Sequence, residues 1–583
     1  MDTSGGCAKL RVGKANLAMW QSFRKAGVGV VVALVLAACS GGRTGAGPPA
    51  AGQPTTPPTA AEAARFLTQA SFGATDASVS AVRASGYSDW IAQQLVMPVS
   101  GNHVAFMQAR RALPGAPNPS VNEFYGSFWQ QAATGPDQLR QRVKLALSEI
   151  FVISVADPNV DELGAASYYD MLGANAFGNY RTLLEQASLH PMMGTYLTWL
   201  ANQKEDPVTG RQPDQNYARE VMQLMTIGVS RLNLDGTVQL DGAGKPVPTY
   251  AAEDISGLSK VLTGYSWYSP TPTNQTFLGR NKAAGAEMRS MIPYPSFHST
   301  SAKSFLGTTV PASATPDPAS ELNIALDTLF NHPNVGPFIS KQLIQRLVTS
   351  NPSPAYVARV ATVFNNNGRG VRGDLGAVVR AVLLDADARS GSLAAGDPNF
   401  GKLREPVVRM ANWMRLTDAT SRTGGWLLQS TSANTSLSQS ALTSSSVFNF
   451  WRPGYSPPST KVGNLGYVAP EFQVVDEVSV AGYLNTMQSA VSNGVGSGLD
   501  ITTAYTSEVA LASDPTALVE RLNILLLNGQ MSPTLRGRIV EAVTAVTVPG
   551  GTATQAQINA ALLNRSKLAV FMCLASAEYL AQR

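Results

Sequence analysis

Cysteine is nearly missing: the 583-residue chain has three, Cys7, Cys39 and Cys573. Only Cys573 follows Cys39, so a chain processed at Cys39 forms no internal disulfide and must draw its stability from packing. Charge is scarce as well, at 14% of residues, against ~25% in typical soluble domains. Five of the 44 basic residues (Lys9, Arg11, Lys14, Arg24 and Lys25) and one acidic residue, Asp2, precede Cys39. The rest is therefore close to neutral despite the formal +5 of the whole chain. A near-neutral body with no basic stripe excludes nucleic acid as a partner. The sequence contains no His-Glu-x-x-His pair, no Cys-x-x-Cys, no Gly-x-Ser-x-Gly elbow and no phosphate loop, so neither a metal nor a cofactor is expected. Asn233-x-Asp235-Gly236 lacks the first Asp and distal Glu of a calcium loop and reads as a turn.

The N-terminus carries what the rest lacks, a pattern with a clear meaning. Arg24 and Lys25 precede an apolar run from Ala26 to Ala38, which ends in Leu36-Ala37-Ala38-Cys39-Ser40. Basic, apolar and small residues in that order form a secretory signal. The run is too short to span a bilayer as a helix. Residues 1–18 are long for a basic leader, and Met19 gives a more usual signal length. From Ser40 to Thr59 the chain is Gly, Pro, Ala and Thr with almost no bulky apolar residue. Such a segment buries no core and reads as an extended tether. Folding is expected to start near Ala60, so the organisation is 1–38 signal, 39–59 tether and 60–583 body.

The body reads as mainly α, a multi-helical globular unit with long loops and at most a small β-hairpin excursion. Leu322, Ala325, Leu326, Leu329 and Phe330 fall on one helical stripe. Tyr356, Val357, Val360, Ala361 and Phe364 repeat it. Asp374 is placed to cap a helix burying Leu375, Val378, Val379, Val382 and Leu383. Leu139–Ser154 and Leu518–Leu527 have the same character. Leu232–Val247, punctuated by Asp235-Gly236 and Asp241-Gly242, is the hairpin-like piece. Two polar stretches, near 417–446 and 492–498, read as linkers or surface loops, the second flexible through Gly494, Gly496 and Gly498.

Two resemblances extend this reading. The end of the signal resembles the lipobox of bacterial lipoproteins, which implies that Cys39 receives lipid and becomes the mature N-terminus. A multiply acylated Cys39 would anchor the chain stably, and Ser40 implies sorting to the outer membrane of a Gram-negative cell. In the body, phrases in a fixed order resemble the bacterial family known as domain of unknown function 1800. They run from Ala64-Arg65-Phe66-Leu67-Thr68-Gln69-Ala70-Ser71-Phe72-Gly73 through Gly86 and Trp90–Leu95 to His190-Pro191-Met192-Met193. Asn216-Tyr217-Ala218-Arg219-Glu220, Leu262-Thr263-Gly264, His298 with Lys303, and His332-Pro333 follow. Lys402-Leu403-Arg404-Glu405-Pro406 and Ser446-Val447-Phe448-Asn449-Phe450 close the set. The resemblance implies a mostly helical secreted protein and transfers no activity. It also has a departure: many members carry Trp and His where this chain reads Ala146-Leu147-Ser148-Glu149-Ile150-Phe151.

The strongest polar constellation lies on a helix starting near Asp214, which is placed to cap it, with Gly228 to end it. Asn216, Arg219, Glu220 and Gln223 share one face. Arg219 is a candidate for holding an anionic or sugar-like ligand and Glu220 for acid–base work; the alternative is an ordinary solvated face. Of the four histidines, His190 and His332 precede Pro and suit helix ends, whereas His298 follows an aromatic loop and is a candidate base or ligand. The rings of Tyr168, Tyr169, Phe448, Phe450, Trp451 and Tyr455 read as core, with sugar stacking the alternative. Asp254 is expected in a helix first turn capped by Thr249. Arg219, Glu220, His298 and Lys303 are expected to converge in one partly buried cluster beside Trp267, with Asp254 near. Convergence on one concave pocket would favour an enzyme or ligand site, and scatter would remove it.

Two functions follow as expectations: a lipid-anchored envelope protein binding a partner protein or surface polysaccharide, or an envelope hydrolase using Arg219, Glu220 and His298. The membrane would be held through the lipid on Cys39. Cys39→Ala is expected to abolish lipid labelling and to shift the protein out of the membrane fraction or leave it as uncleaved precursor. Unchanged labelling would end the lipoprotein reading.

Overall fold

Helix Ala60–Ala70 is the first of the described helices, and Thr59 caps it in a reciprocal box: its hydroxyl accepts from the Glu62 N–H while Glu62 accepts from the Thr59 N–H. A side-chain oxygen at this position satisfies a donor that the first turn cannot pair internally. The computed structural model describes residues 56–115 and 119–583. The signal, Cys39 and most of the tether lie outside the described residues. The structure is 53% helical, and among the described residues the strands form only two-stranded antiparallel ladders; the fold is mainly α.

The stripes read from sequence are the buried faces. Pro318–Asn331 buries Leu322, Ala325, Leu326, Leu329 and Phe330. Pro354–Asn365 buries Tyr356, Val357, Val360, Ala361 and Phe364. Asp374 accepts from the Ala377 N–H and caps Leu375–Leu384, whose buried side chains include all five anticipated. Pro515–Leu527 ends at Asn528 in left-handed geometry. Tyr168 and Tyr169 are fully buried.

Two expectations, on Leu139–Ser154 and on 417–446, need correction. Helix Gln138–Ser148 stops six residues short of Ser154; Phe151, Val152 and Ile153 are buried outside regular structure, so burial alone had suggested continuation. Leu232–Val247 is the hairpin-like piece anticipated: antiparallel bridges join Leu232 with Val238 and Leu240 with Pro246, on either side of the Asp235-Gly236 and Asp241-Gly242 turns. The Ser/Thr-rich stretch 417–446 is not a surface loop throughout. Trp426, Thr431, Leu437, Gln439, Ser440, Ala441, Leu442 and Ser444 are buried. Its hydroxyls replace water with backbone acceptors: Thr431 donates to the Gln439 carbonyl at 2.6 Å and Thr417 to that of Trp413 at 2.9 Å. Gly494 and Gly496, both at positive φ, bring the 492–498 turn against this stretch, where the Ser497 N–H donates to the Leu427 carbonyl.

One hydrophobic core runs from Ala63 to Tyr579. Helix Ala60–Ala70 packs on Pro515–Leu527, and the short strand Lys402–Leu403 pairs with Ala581–Gln582. The start and end of the body thus belong to the same packing. Between the N-terminal helices and Pro318–Asn331 lies a less regular region, about residues 197–317, built around helix Ala252–Val261 and strand Lys303–Phe305.

That contact depends on a missing side chain. A Cβ on Gly257 would sit 1.8 Å from the Ser304 carbonyl oxygen, which is backbone and has no rotamer to escape into. Gly257→Ala is therefore expected to cost about 1–3 kcal/mol through overpacking, measured by denaturant unfolding. Gly242→Ala, with no heavy atom within 4 Å of its Cβ, serves as the control; equal stability of the two variants would contradict the close approach.

Candidate functional site

The polar residues picked out from sequence separate into three groups. His298 and Lys303 do meet, around a carboxylate that sequence reasoning missed. Glu321 Oε2 lies 2.9 Å from His298 Nε2 and 2.8 Å from Lys303 Nζ. His298 Nδ1 is 2.7 Å from the Thr263 carbonyl, and Lys303 also donates to the carbonyls of Ser299 and Ser301. All three side chains are buried. Both imidazole nitrogens are engaged, so neither is left for a substrate. Glu321 was concealed because it lies on the helix stripe that reads as core; the only signal was its acidic character in a first turn.

Arg219 and Glu220 form the second group. Glu220 is 7% exposed and one of its oxygens has no partner; burial raises its pKa, and Arg219 opposes the rise. Among the described residues no hydrogen bond or ion pair links this pair to His298 or Lys303. Asn216 Nδ2 reaches the Thr198 hydroxyl at 3.4 Å. Asp214 accepts from the Asn216 N–H as anticipated, although the cap position proper is Gln215. Asp254 braces the backbone, its carboxylate accepting from the Ala251 N–H at 2.8 Å and from the Leu306 N–H at 2.7 Å. Ala251 is the cap of that helix, and Thr249 instead bonds the Gly228 carbonyl. His190 and His332 take the helix-end role, their Nδ1 atoms accepting from the Met192 and Asn334 N–H groups. Burial pulls His190 down to about 3, so it stays neutral.

Trp267 belongs to a third group, more open than the others. Trp267 and Tyr268 are consecutive and half-buried. Lys282 Nζ lies 4.2 Å from the Trp267 ring centroid and the Arg289 guanidinium 4.6 Å from that of Tyr268. The backbone beneath is braced. Tyr294 donates to the Trp267 carbonyl at 2.7 Å, Ser266 to the Phe277 carbonyl at 2.6 Å, and Phe277 stacks on Phe297 at 3.7 Å.

The densest buried charge lies elsewhere. Lys402 Nζ bridges Glu405 at 3.0 Å and Glu471 at 2.9 Å, Arg142 reaches Glu405 at 3.2 Å, and Arg346 Nε stands 3.4 Å from Glu149. Glu149 and Glu405 also hydrogen-bond each other. Burial, then the Glu405 charge, pushes Glu149 well up, so it holds its proton. Burial alone would raise Glu405 too, but Lys402 and Arg142 hold it well below the usual carboxylate range. Beside the pair is a small cavity, ≈ 280 Å³ counting its mouth, lined by Glu149, Gln439, Ser440, Ser444, Asn449 and Phe450 among others. Two of the phrases that carried the family resemblance, those containing Lys402–Glu405 and Asn449–Phe450, meet here with the segment that departs from it, which contains Glu149. A family model described as "Protein of unknown function (DUF1800)" matches residues 65–581. The chain belongs to this family. No curated protein and no solved structure matches the DUF1800 chain.

The Glu149–Glu405 pair is a poor acid–base couple. One member is held protonated and the other ionised, both far from the working range of a general acid or base near neutral pH. Its effect is on stability. A carboxyl that binds its proton more tightly folded than unfolded stabilises at low pH, and that contribution fades as pH rises above the ordinary Glu range. Glu405 has the opposite sign: its contribution is present above that range and is lost as pH falls through its depressed value. Glu149→Gln keeps a donor toward Glu405, and it is expected to match or exceed the parent in denaturant stability at pH 8. Glu405→Gln leaves Lys402 and Arg142 undercompensated and is expected to cost about 3–5 kcal/mol at pH 7. Equal damage from both at pH 8 would show that Glu149 is ionised there.

Proposed function

We propose that this DUF1800 protein is a lipid-anchored protein of the bacterial outer membrane that binds an anionic surface polysaccharide through the segment from Trp267 to Arg289. The anchor rests on the Leu36–Ser40 lipobox, and the Gly/Pro/Thr tether holds the body off the membrane. The observation that carries the binding reading is the braced pair of half-exposed rings, each with a cation on its face. Sugar rings stack on such aromatic faces. Exposed Arg280, Lys282 and Arg289 outnumber the segment's one acid, half-buried Glu287, which suits a polymer bearing carboxylates or phosphates. Exposed Asn274, Gln275 and Asn281 supply amides for hydroxyl groups. The rival reading, a hydrolase using Arg219, Glu220 and His298, is weakened by the engagement of both His298 nitrogens.

Trp267→Ala is expected to weaken binding to isolated envelope polysaccharide by roughly ten-fold, about 1–2 kcal/mol, with the circular dichroism spectrum unchanged. Binding by the parent protein should also fall as salt rises from about 50 to about 500 mM, because exposed charges are screened. Undiminished binding by the variant together with salt-independent binding by the parent would overturn the proposal.

A further inference from the structure

A second opening is lined by none of the residues of the sites described above. It is a cleft of ≈ 240 Å³, lined by Leu67, Trp90, Thr134, Pro136 and Arg415 with four serine and glutamine side chains and a glycine. That is below the ~300–1,000 Å³ of drug-sized pockets and admits only a small molecule. Helix Ala60–Ala70 supplies Leu67, helix Asp76–Val96 supplies Trp90, and Thr134 ends helix Asn122–Thr134. Arg415 comes from the last turn of helix Pro406–Leu416.

Arg415 gives the cleft its chemistry. It is 9% exposed. Its Nε donates to the Gly73 carbonyl and its Nη1 to the Ala133 carbonyl, each at 3.0 Å. These bonds fix the guanidinium plane and leave Nη2 as the nitrogen with no partner among the described residues. No carboxylate there lies within 4.0 Å of it; the acid whose field reaches it is Asp418, on the surface. Burial draws Arg415 down to about 10, so it remains a cation at neutral pH. Four other buried arginines are matched differently: Arg142 and Arg346 have carboxylates, and Arg404 and Arg409 lie over the Tyr579 and Tyr483 rings at 4.3 and 4.7 Å. Arg65 and Arg565 bond backbone carbonyls alone, as Arg415 does, but neither lines this cleft. The serine and glutamine side chains of the wall are already committed. Ser71 donates to the Leu67 carbonyl, Gln94 to that of Pro136 and Gln138 to that of Gly135. A buried, oriented guanidinium with no carboxylate bonded to it, at a cleft wall, is a seat for an anionic oxygen. Exposed Pro136 and the edge of Trp90 offer apolar surface to whatever carries that oxygen.

We propose that this cleft binds a small organic anion, with its carboxylate or phosphate on Arg415 Nη2 and its body against Trp90 and Pro136. The site is independent of the Trp267 segment and takes a molecule, not a polymer. The test uses isothermal titration calorimetry on the intact lipid-free body with three probes: inorganic phosphate, 3-phenylpropionate and neutral 3-phenylpropanamide. The expected result is a Kd on the order of 1 mM or tighter for phosphate, 3-phenylpropionate or both, with the amide at least ten-fold weaker. Which anion binds assigns the head group. Arg415→Gln should abolish binding, but it also removes the bonds to Gly73 and Ala133. Thr134→Trp therefore provides the second variant: it fills the cleft mouth, leaves Arg415 in place, and should weaken binding at least ten-fold at unchanged melting temperature. Amide binding as tight as acid binding, anion affinity untouched by Thr134→Trp, or no heat with any probe at about 10 mM would each overturn the proposal.

Discussion

Six buried side chains, Glu149, Glu405 and Glu471 with Arg142, Arg346 and Lys402, hold the molecule's distant segments in register. Between them they join helix Gln138–Ser148 and the turn after it, helix Val335–Leu347, the entry to helix Pro406–Leu416 and the short turn Pro470–Val474. Arg142, Arg346 and Lys402 also bond main-chain carbonyls: Arg142 and Lys402 both donate to the Arg346 carbonyl, at 2.6 and 2.8 Å. Charges taken out of water cost more than a single contact returns unless every lone pair and proton is placed. Here the cost is reduced by the proton that Glu149 keeps, which spares the cluster one buried charge. The result is directional, where apolar packing is not, and it explains how a body with so little charge and, among the described residues, no disulfide fixes one arrangement of so many helices.

Helices were legible because their information is local. The stripes at Leu322–Phe330, Tyr356–Phe364 and Leu375–Leu383 need only the 3.6-residue period and a cap such as Asp374. The candidate site was legible only in part. His298 and Lys303 were paired correctly because a loop and the strand after it bring them together within a few residues. Glu321, which completes their cluster, belongs to a stripe that any reading assigns to core. Glu220 was expected in the same place, but nothing local states which way helix Asn216–Gln223 faces relative to the loop ending at His298. That angle is set by tertiary packing, through helix Ala252–Val261 and the bare Cα of Gly257.

The Ser/Thr-rich stretch 417–446 failed for another reason. Composition equates hydroxyls with water, yet Ser, Thr and Gln are as serviceable inside when each hydroxyl or amide finds a backbone partner. Gln439 does this for three elements at once: its Oε1 accepts from the Val407 N–H, and its Nε2 faces Glu149 and Glu405 at 3.4 and 3.3 Å. A chain poor in Lys, Arg, Asp and Glu has to use such neutral polar groups both as surface and as internal connectors. Their number alone does not reveal which.

Helix Ala60–Ala70 rests on Pro515–Leu527, and Lys402–Leu403 finds its partner only at Ala581–Gln582. The Ala60–Ala70 helix therefore has an unfinished wall until more than four hundred later residues exist beside it. A body seamed between its early and late described elements commits to its shape late, when the C-terminal strand is in place.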